Sequence, residues 1–295
     1  MNILLTGKNG QLGFELQRSL APLGRVFAVD SSDCDLEDSE AVRELVRRVQ
    51  PQVVVNPAAF TAVDLAESHA DKAMAVNAVA PGVLGEEAHR LGAPVIHFST
   101  DYVFDGEKGA PYVEEDAPQP QSVYGRSKLL GEIALRQACP KHLILRTSWV
   151  FGAHGQNFAK TMLRLAQERS ELRVVSDQIG APTSAALLAD LTAHLVRQLQ
   201  QSDHAAFPFG LYHVTASGET SWHAYARYVL EQATIKGYEL RTSPDRVMPI
   251  TTDAYPTLAK RPRDSRLDSS RFKRSFALEL PHWEQGLNHI LQQIL

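Results

Sequence analysis

Cysteine and long apolar runs are both scarce in this chain. Only Cys34 and Cys139 occur, with no CxxC pair, so the sequence offers no disulfide framework and its cysteine usage is typical of a reducing compartment. No stretch approaches the roughly 20 apolar residues that a helix needs to span a bilayer. Residues 1–7 lack the charged start and the longer apolar region of a secretory signal. The sequence therefore predicts a cytoplasmic protein.

An excess of positive charge is also missing. The formal net charge is −4, which argues against a surface built to hold nucleic acid or an anionic membrane. What is present is ordinary for a soluble globular protein: 295 residues, of which 44% are hydrophobic and 22% are charged. That length suits one large domain, or a core domain with a smaller one attached.

The first half of the chain alternates short apolar runs with helical patterns. Apolar residues recur at helical spacing from Leu12 to Leu20 and from Val42 to Val49. Strands that are apolar on both faces and separated by helices predict a parallel sheet covered on both sides, which is the doubly wound, Rossmann-type α/β fold. The predicted strands are 2–5, 25–29, 52–55, 94–98 and 143–145.

The second half has a looser pattern. Its residues predict a smaller α/β arrangement, and the segment 251–266 reads as an ordered loop. The predicted helices are 158–168, 185–199, 221–233 and 283–295, and the predicted short strands are 173–175, 211–214 and 248–250.

A glycine motif follows the first predicted strand and opens the first predicted helix. Gly7, Gly10 and Gly13 form a GxxGxxG sequence, and the second predicted strand leads to Asp30. Glycines let the backbone turn tightly beside a pyrophosphate, whose charge is met by free N–H groups at the helix N-terminus. This context predicts a dinucleotide site. We therefore expect residues 1–150 to bind NAD(P) and residues 151–295 to bind mainly substrate, with some segments returning to the first core.

Asp30 is placed to hydrogen-bond the adenosine ribose hydroxyls, which favours NADH because the carboxylate would repel a 2′-phosphate. Lys8, with two serines beside Asp30, could offset that repulsion, so NADPH and NADH both stay open. Further cofactor contacts are predicted at the ends of the second and third strands. They are Asp35 and Leu36 at the adenine edge, and Ala59, Phe60 and Thr61 at the carboxyl end of the sheet.

Tyr124 and Lys128 lie four residues apart in a predicted helix, which places them on one face. A phenol is a poor acid–base catalyst at neutral pH, and an adjacent ammonium is expected to lower its pKa. Thr100, at the end of the fourth predicted strand, can hydrogen-bond a substrate carbonyl oxygen. The three residues predict a ketone reductase in which Tyr124 donates the proton.

These motifs resemble those of the extended short-chain dehydrogenase/reductase superfamily, and within it the dTDP-4-dehydrorhamnose reductases. The resemblance runs nearly end to end. The residues that carry it are 2–7 with 10–13, 58–64, 76–78, 99–106, 124–125 with Lys128, 146–152, 177–183 and 261–262.

The resemblance implies hydride transfer from NADPH or NADH to C4 of dTDP-4-dehydro-L-rhamnose, giving dTDP-L-rhamnose. It implies that Tyr124 is the proton donor, Lys128 its ribose-binding partner and Thr100 the hydroxyl that polarises the substrate. It places Asp101, Trp149 and Arg261 at the substrate. The cofactor contacts it implies are Gly10, Gln11, Leu12, Asp30, Asp35, Leu36, Ala59, Phe60 and Thr61.

Some members of this family form homodimers through Mg²⁺ held by carboxylates. Glu15 matches one ligand position, and Asp190 and Glu284 are the candidates for others. The resemblance thus implies a Mg²⁺ site at a dimer interface.

Two alternatives stay open. The first is an epimerase or dehydratase that retains its NAD, although Thr100 and Asp101 are followed by Tyr102 and not by the glutamate of a dehydratase. The second is a non-catalytic subunit resembling the regulatory beta subunit of methionine adenosyltransferase, against which the intact Thr100, Tyr124 and Lys128 set argues.

Overall fold

The structure is a computed structural model that describes residues 1–295. Twelve strands alternate with helices along most of the chain. The strands are β1 (Asn2–Leu5), β2 (Arg25–Ala28), β3 (Val53–Asn56), β4 (Val95–Thr100), β5 (His142–Thr147), β6 (Val150–Phe151), β7 (Leu172–Val175), β8 (Ile179–Gly180), β9 (Thr183–Ser184), β10 (Gly210–His213), β11 (Thr220–Ser221) and β12 (Val247–Ile250).

Eleven α-helices cover the strands, and one π-helical turn, Ala75–Val79, joins two of them. The helices are α1 (Gln11–Leu20), α2 (Ser39–Val49), α3 (Val63–Ala66), α4 (Ala70–Met74), α5 (Ala80–Arg90), α6 (Val123–Ala138), α7 (Phe158–Glu168), α8 (Ala185–Gln201), α9 (Trp222–Ile235), α10 (Ser270–Phe276) and α11 (Trp283–Ile294).

Six strands form one parallel sheet in the order β10-β5-β4-β3-β1-β2. Every residue of β3 and β4 is buried, which explains why the apolar residues of these strands do not alternate with exposed polar ones. Helices lie on both faces, as the core on one side contains α1 and α8 and the core on the other contains α2 and α5. The prediction of a doubly wound Rossmann-type α/β fold is confirmed.

The sixth strand comes from the second half of the chain. β10 pairs with β5 from Gly210–Leu143 to His213–Arg146, and apolar residues of α8 and α10 enter the same core as β1 and α1. Division of the chain at residue 150 stays a prediction, with 185–214 and 270–280 as the segments that return to the first core.

A second core lies outside the sheet. It is formed by α7, α9 and α11 around the short parallel pair of β7 and β12, and its largest side chains include Phe151, Tyr225 and Trp283. Two isolated β-bridges, from residue 179 to 264 and from 112 to 267, pair the segment around residues 264–267 with earlier parts of the chain. No helix contains an apolar stretch that could span a lipid bilayer.

Candidate active site

A cavity of about 940 Å³ runs along the carboxyl ends of the sheet strands. The order of the strands reverses between β1 and β3, and such a switch point is where open α/β sheets bind their ligands. Sixteen of the eighteen residues predicted from the sequence to form the site line this one cavity. They are Gly7, Gly10, Gln11, Leu12, Gly13, Asp30, Asp35, Leu36, Ala59, Phe60, Thr61, Thr100, Asp101, Tyr124, Lys128 and Trp149.

The glycine loop is packed too tightly to accept side chains at two of its positions. Gly7 has a φ of +61°, and a Cβ there would lie 2.9 Å from Ala58 Cα. A Cβ on Gly13 would lie 1.9 Å from the Gly7 carbonyl oxygen, so helix α1 starts directly against the loop. Gly10 caps α1 with extended backbone and without a side-chain hydrogen bond. The first N–H groups of the helix therefore face the cavity, as an anion site requires.

Polar side chains surround Asp30 at the end of β2. The Ser32 hydroxyl donates to Asp30 Oδ1 at 2.6 Å, and this bond is the largest reason that the carboxyl pKa is lowered. Asn9 Nδ2 donates to the other oxygen, Oδ2. Lys8 lies 3.8 Å from Asp30 Oδ2 and forms a closer ion pair with Asp33. The Asp30 carboxylate and the Lys8 ammonium therefore lie together where the adenosine end of the cofactor is expected.

Thr100 ends β4, and its hydroxyl donates to Asp101 Oδ1 at 3.0 Å while accepting from Tyr102 N at 3.2 Å. Asp101 is 1% exposed, and its second oxygen, Oδ2, has no partner within hydrogen-bond distance. Burial raises the Asp101 pKa to about 6, against which nearby Ser265 and Thr100 act. A buried acid with an unused oxygen on a cavity wall is positioned to bind a polar ligand group.

Tyr124 lies in the first turn of α6, a helix capped by the Ser122 hydroxyl, which accepts from Gly125 N at 3.1 Å. A Cβ on Gly125 would lie 2.1 Å from the Tyr102 carbonyl oxygen, so glycine brings α6 against the end of β4. Burial raises the Tyr124 pKa to about 12, Thr100 lowers it and Asp101 raises it further. This direction is opposite to the one expected from the YxxxK spacing, and it keeps the phenol protonated at neutral pH.

Lys128 is 2% exposed, and its ammonium group is held by two residues of strand β4. Its Nζ donates to the Phe98 carbonyl oxygen at 2.6 Å and lies 3.3 Å from His97 Nε2. Burial lowers the Lys128 pKa to about 8, and Glu132 on the same helix raises it. The Lys128 Nζ is directed toward these two groups and not toward the Tyr124 hydroxyl. Its charge therefore does not lower the Tyr124 pKa, contrary to the prediction from the YxxxK spacing.

Two tryptophans form a stacked wall at the other end of the cavity. The rings of Trp149 and Trp222 are 3.6 Å apart between centroids and 10° from parallel, and both line the cavity. Trp149 adopts a left-handed backbone with a φ of +47°, which costs energy for a bulky residue. Trp149 was predicted from the sequence and Trp222 was not, because the only signal for Trp222 is an aromatic residue at the start of a predicted helix.

Arg261 and Glu15 are the two predicted site residues that do not line the cavity. Arg261 Nη2 donates to Asp64 Oδ2 at 2.7 Å, so its guanidinium is already paired. Arg18 contacts both Glu15, at 3.5 Å, and Asp190, at 3.2 Å. Glu284 lies 3.6 Å from His282 Nδ1. No three acidic, histidine or cysteine side chains of this chain gather where they could hold a metal, so the predicted Mg²⁺ site has no support within the chain.

Comparison with known proteins fits this geometry. The family model described as the RmlD substrate binding domain matches residues 1–295. A dTDP-4-dehydrorhamnose reductase of Shigella flexneri is 51% identical over 298 residues, covering 100% of this chain and 98% of the relative. The chain belongs to the dTDP-4-dehydrorhamnose reductases.

Two solved structures of reductases from this family share the fold closely. The Bacillus anthracis dTDP-4-dehydrorhamnose reductase, in complex with NADP, has a TM-score of 0.90 at 33% identity, and the alignment covers 99% of both chains. The Clostridium acetobutylicum dTDP-4-dehydrorhamnose reductase has a TM-score of 0.89 at 36% identity, again over 99% of both chains. Membership of this reductase family confirms the resemblance read from the sequence.

A cluster of three buried polar residues lies behind the cavity, and its contacts were not predicted from the sequence. Ser99, next to Thr100, donates its hydroxyl to Glu132 Oε1 at 2.5 Å, and Glu132 binds Arg146 through two hydrogen bonds. These residues link β4, α6 and β5 beneath the cavity. Ser99 and Arg146 belong to the segments that carry the family resemblance, but their pairing with Glu132 could not be predicted, because a charged residue in an otherwise apolar pattern does not reveal its partner.

Proposed function

We propose that this protein transfers hydride from NADPH or NADH to C4 of dTDP-4-dehydro-L-rhamnose, forming dTDP-L-rhamnose. The observation that carries the proposal is the convergence of Thr100, Asp101, Tyr124 and Lys128 with the glycine loop on one cavity. Membership of the reductase family supplies the substrate. When bound, the nicotinamide supplies the hydride, and the residues of the chain supply binding, orientation and the proton.

Tyr124 is the proposed proton donor to the O4 atom of the sugar. Its raised pKa of about 12 keeps the proton on the phenol until negative charge develops on the substrate oxygen. Thr100 supplies a second hydroxyl beside it. The Thr100 hydroxyl now donates a hydrogen bond to Asp101. It can donate instead to the carbonyl oxygen of a bound substrate, and that hydrogen bond stabilises the negative charge that develops on the oxygen.

Lys128 is the proposed ligand of the nicotinamide ribose, and the glycine loop with the start of α1 is the proposed pyrophosphate site. Asp30 is the proposed ligand of the adenosine ribose hydroxyls, an arrangement that by itself favours NADH. The Lys8–Asp33 pair supports acceptance of NADPH as well, because Lys8 is partly exposed and can turn from Asp33 to a 2′-phosphate.

The Trp149–Trp222 wall is the proposed support for the apolar face of the sugar.

We also propose a cytoplasmic location, supported by two cysteines that are buried and free. The homodimer implied by the resemblance stays a prediction.

Purified protein incubated with NADPH or NADH and dTDP-4-dehydro-L-rhamnose tests the function. We expect one mole of reduced cofactor to be consumed for each mole of dTDP-L-rhamnose formed. Cofactor that copurifies and is never consumed would favour an epimerase or dehydratase, and absence of any turnover would favour a non-catalytic subunit.

A further inference from the structure

His97 is a buried titratable residue that the mechanism above does not use. It lies in the middle of the parallel sheet, on β4, with no exposed surface. Its Nε2 is 3.3 Å from Lys128 Nζ, and its Nδ1 is 3.0 Å from Asn56 Nδ2. The opposite side of the Asn56 amide, Oδ1, accepts from the Thr6 hydroxyl at 2.5 Å.

These contacts make a continuous chain of hydrogen-bonding groups from Thr6 to Lys128. This row of hydrogen-bonding groups crosses three neighbouring parallel strands or their ends and finishes on helix α6. All four side chains are at most 2% exposed, so their hydrogen-bond partners come mainly from the protein and not from bulk water. Such a buried network is stable only when every donor meets an acceptor.

The charge of Lys128 therefore determines which group donates and which accepts at each hydrogen bond of this row. An ammonium only donates, so His97 must then accept at Nε2 and carry its proton on Nδ1. This order requires the Asn56 amide to be turned over relative to the contacts above, so that Oδ1 accepts from Nδ1 and Nδ2 donates to the Thr6 hydroxyl. A neutral amine allows the reverse order, in which Asn56 Nδ2 donates to Nδ1 and His97 donates from Nε2 to Lys128.

We propose that His97 is a positioning residue for Lys128, and that its Nε2 holds the lysine Nζ at the cavity wall where the nicotinamide ribose binds. The role assigned to Lys128 rests on the proposed function. Phe98 supplies the second anchor, so two of the three ammonium protons are committed to the protein and the third is left for the cavity. A long, flexible side chain is thereby fixed in one direction.

Electrostatics around the pair agrees with this arrangement. Burial and the Lys128 charge lower the His97 pKa, so the ring stays neutral and able to accept. The charged group facing Lys128 is Glu132, which is itself bound to Arg146 of β5. Asn56 on β3 contributes only neutral contacts.

A matched pair of variants separates positioning from simple packing. The Gln side chain of H97Q places an amide group near the position of Nε2, and the Asn side chain of H97N places one near Nδ1 only. We expect H97N to weaken NADPH binding about 10-fold or more, as loss of a hydrogen bond to a charged group implies, and H97Q to stay within about 3-fold of the parent. The pH at which cofactor binding declines should shift in H97N and not in H97Q.

Cofactor Kd measured by titration without sugar nucleotide, alongside the unfolding temperature, gives the readout. Equal losses of affinity in both variants, in proportion to their loss of stability, would overturn the proposal. Failure of the substrate assignment would leave the cofactor result intact. Normal turnover of dTDP-4-dehydro-L-rhamnose with unchanged cofactor binding in H97N would sink this inference alone.

A measurement on the unaltered protein covers the case in which H97N does not fold. Long-range ¹H–¹⁵N spectra report which nitrogen of the non-titrating ring beside Lys128 carries the proton. We expect Nδ1 to be protonated at pH 6.5, where Lys128 is charged, and the proton on Nε2 at that pH would contradict the proposal.

Discussion

The carboxylate of Glu132 binds the guanidinium of Arg146 through two hydrogen bonds of 2.8 and 2.7 Å in the protein interior. Both side chains are 2% exposed, and the Ser99 hydroxyl completes the pair. Removing one partner leaves the other charge buried without compensation. We therefore expect Glu132→Ala to lower the free energy of unfolding by about 3–5 kcal/mol, measured by urea denaturation.

The exposed pair Arg164–Glu168 provides the matched control for the buried one. Its side chains are 60% and 53% exposed, so Glu168→Ala should change the free energy of unfolding by less than about 1 kcal/mol. Similar effects of the two substitutions would contradict the view that burial makes the Glu132–Arg146 pair indispensable.

Replacing the proposed proton donor should separate chemistry from cofactor binding. Tyr124→Phe removes the hydroxyl and keeps the ring, so we expect kcat to fall about 10²-fold or more while the Kd for NADPH changes little. Tyr228→Phe is the control, because Tyr228 bonds Asn288 in the second core and does not line the cavity. Full activity in Tyr124→Phe would show that another group donates the proton.

The stacked tryptophans should matter for the sugar more than for the cofactor. Trp222→Ala removes the support of Trp149, and we expect the KM for the sugar nucleotide to rise about 3–10-fold, as loss of an aromatic stack implies. Trp222→Phe should retain most of the affinity. A rise in the KM for NADPH with an unchanged KM for the sugar nucleotide would show that the two tryptophans contact the cofactor and not the sugar.

Asp101 should make stability depend on pH with a definite sign. Burial raises its pKa from 3.8 to about 6, so the folded chain holds a proton that the unfolded chain has released. The unfolding free energy contributed by this group therefore falls as pH rises through that window. Asp101→Asn removes the effect, and we expect the variant to gain about 1–2 kcal/mol relative to the parent between pH 5 and pH 8.

Asp71→Asn, on an exposed position of α4, is the control for this pH series. Its pH series gives the change that loss of one exposed carboxyl group causes, against which the Asp101→Asn series is compared. A parallel pH dependence of Asp101→Asn and the parent protein would mean that Asp101 is ionised and compensated in the fold.

Much of the fold could be predicted because the patterns are local. The helix predicted at 158–168 has those bounds in the structure, and the strands at the centre of the sheet were found within two residues of their ends. The pairing of β10 with β5 was beyond reach, since nothing in its four residues specifies a partner 67 positions away in the chain, the separation of His213 from Arg146. The short helices between 63 and 79 escaped because their apolar periodicity is too brief to detect.

The site divides in the same way. Residues on the glycine loop and the YxxxK turn are fixed by local spacing, and the structure brings them to one cavity. His97, Glu132 and Trp222 could not be found, because each acts through a partner that only the tertiary fold brings close. The direction of the Tyr124 pKa was misjudged for a related reason: spacing shows proximity to Lys128, whereas burial and the direction of Nζ depend on packing.

Transfer of deuterium from labelled cofactor tests the central claim most directly. The protein would be incubated with NADPH carrying deuterium at C4 of the nicotinamide and with dTDP-4-dehydro-L-rhamnose, and the product analysed by mass spectrometry and NMR. We expect dTDP-L-rhamnose with one deuterium, located at C4 of the sugar. Unlabelled product, or label at any other carbon, would contradict hydride transfer to the C4 ketone.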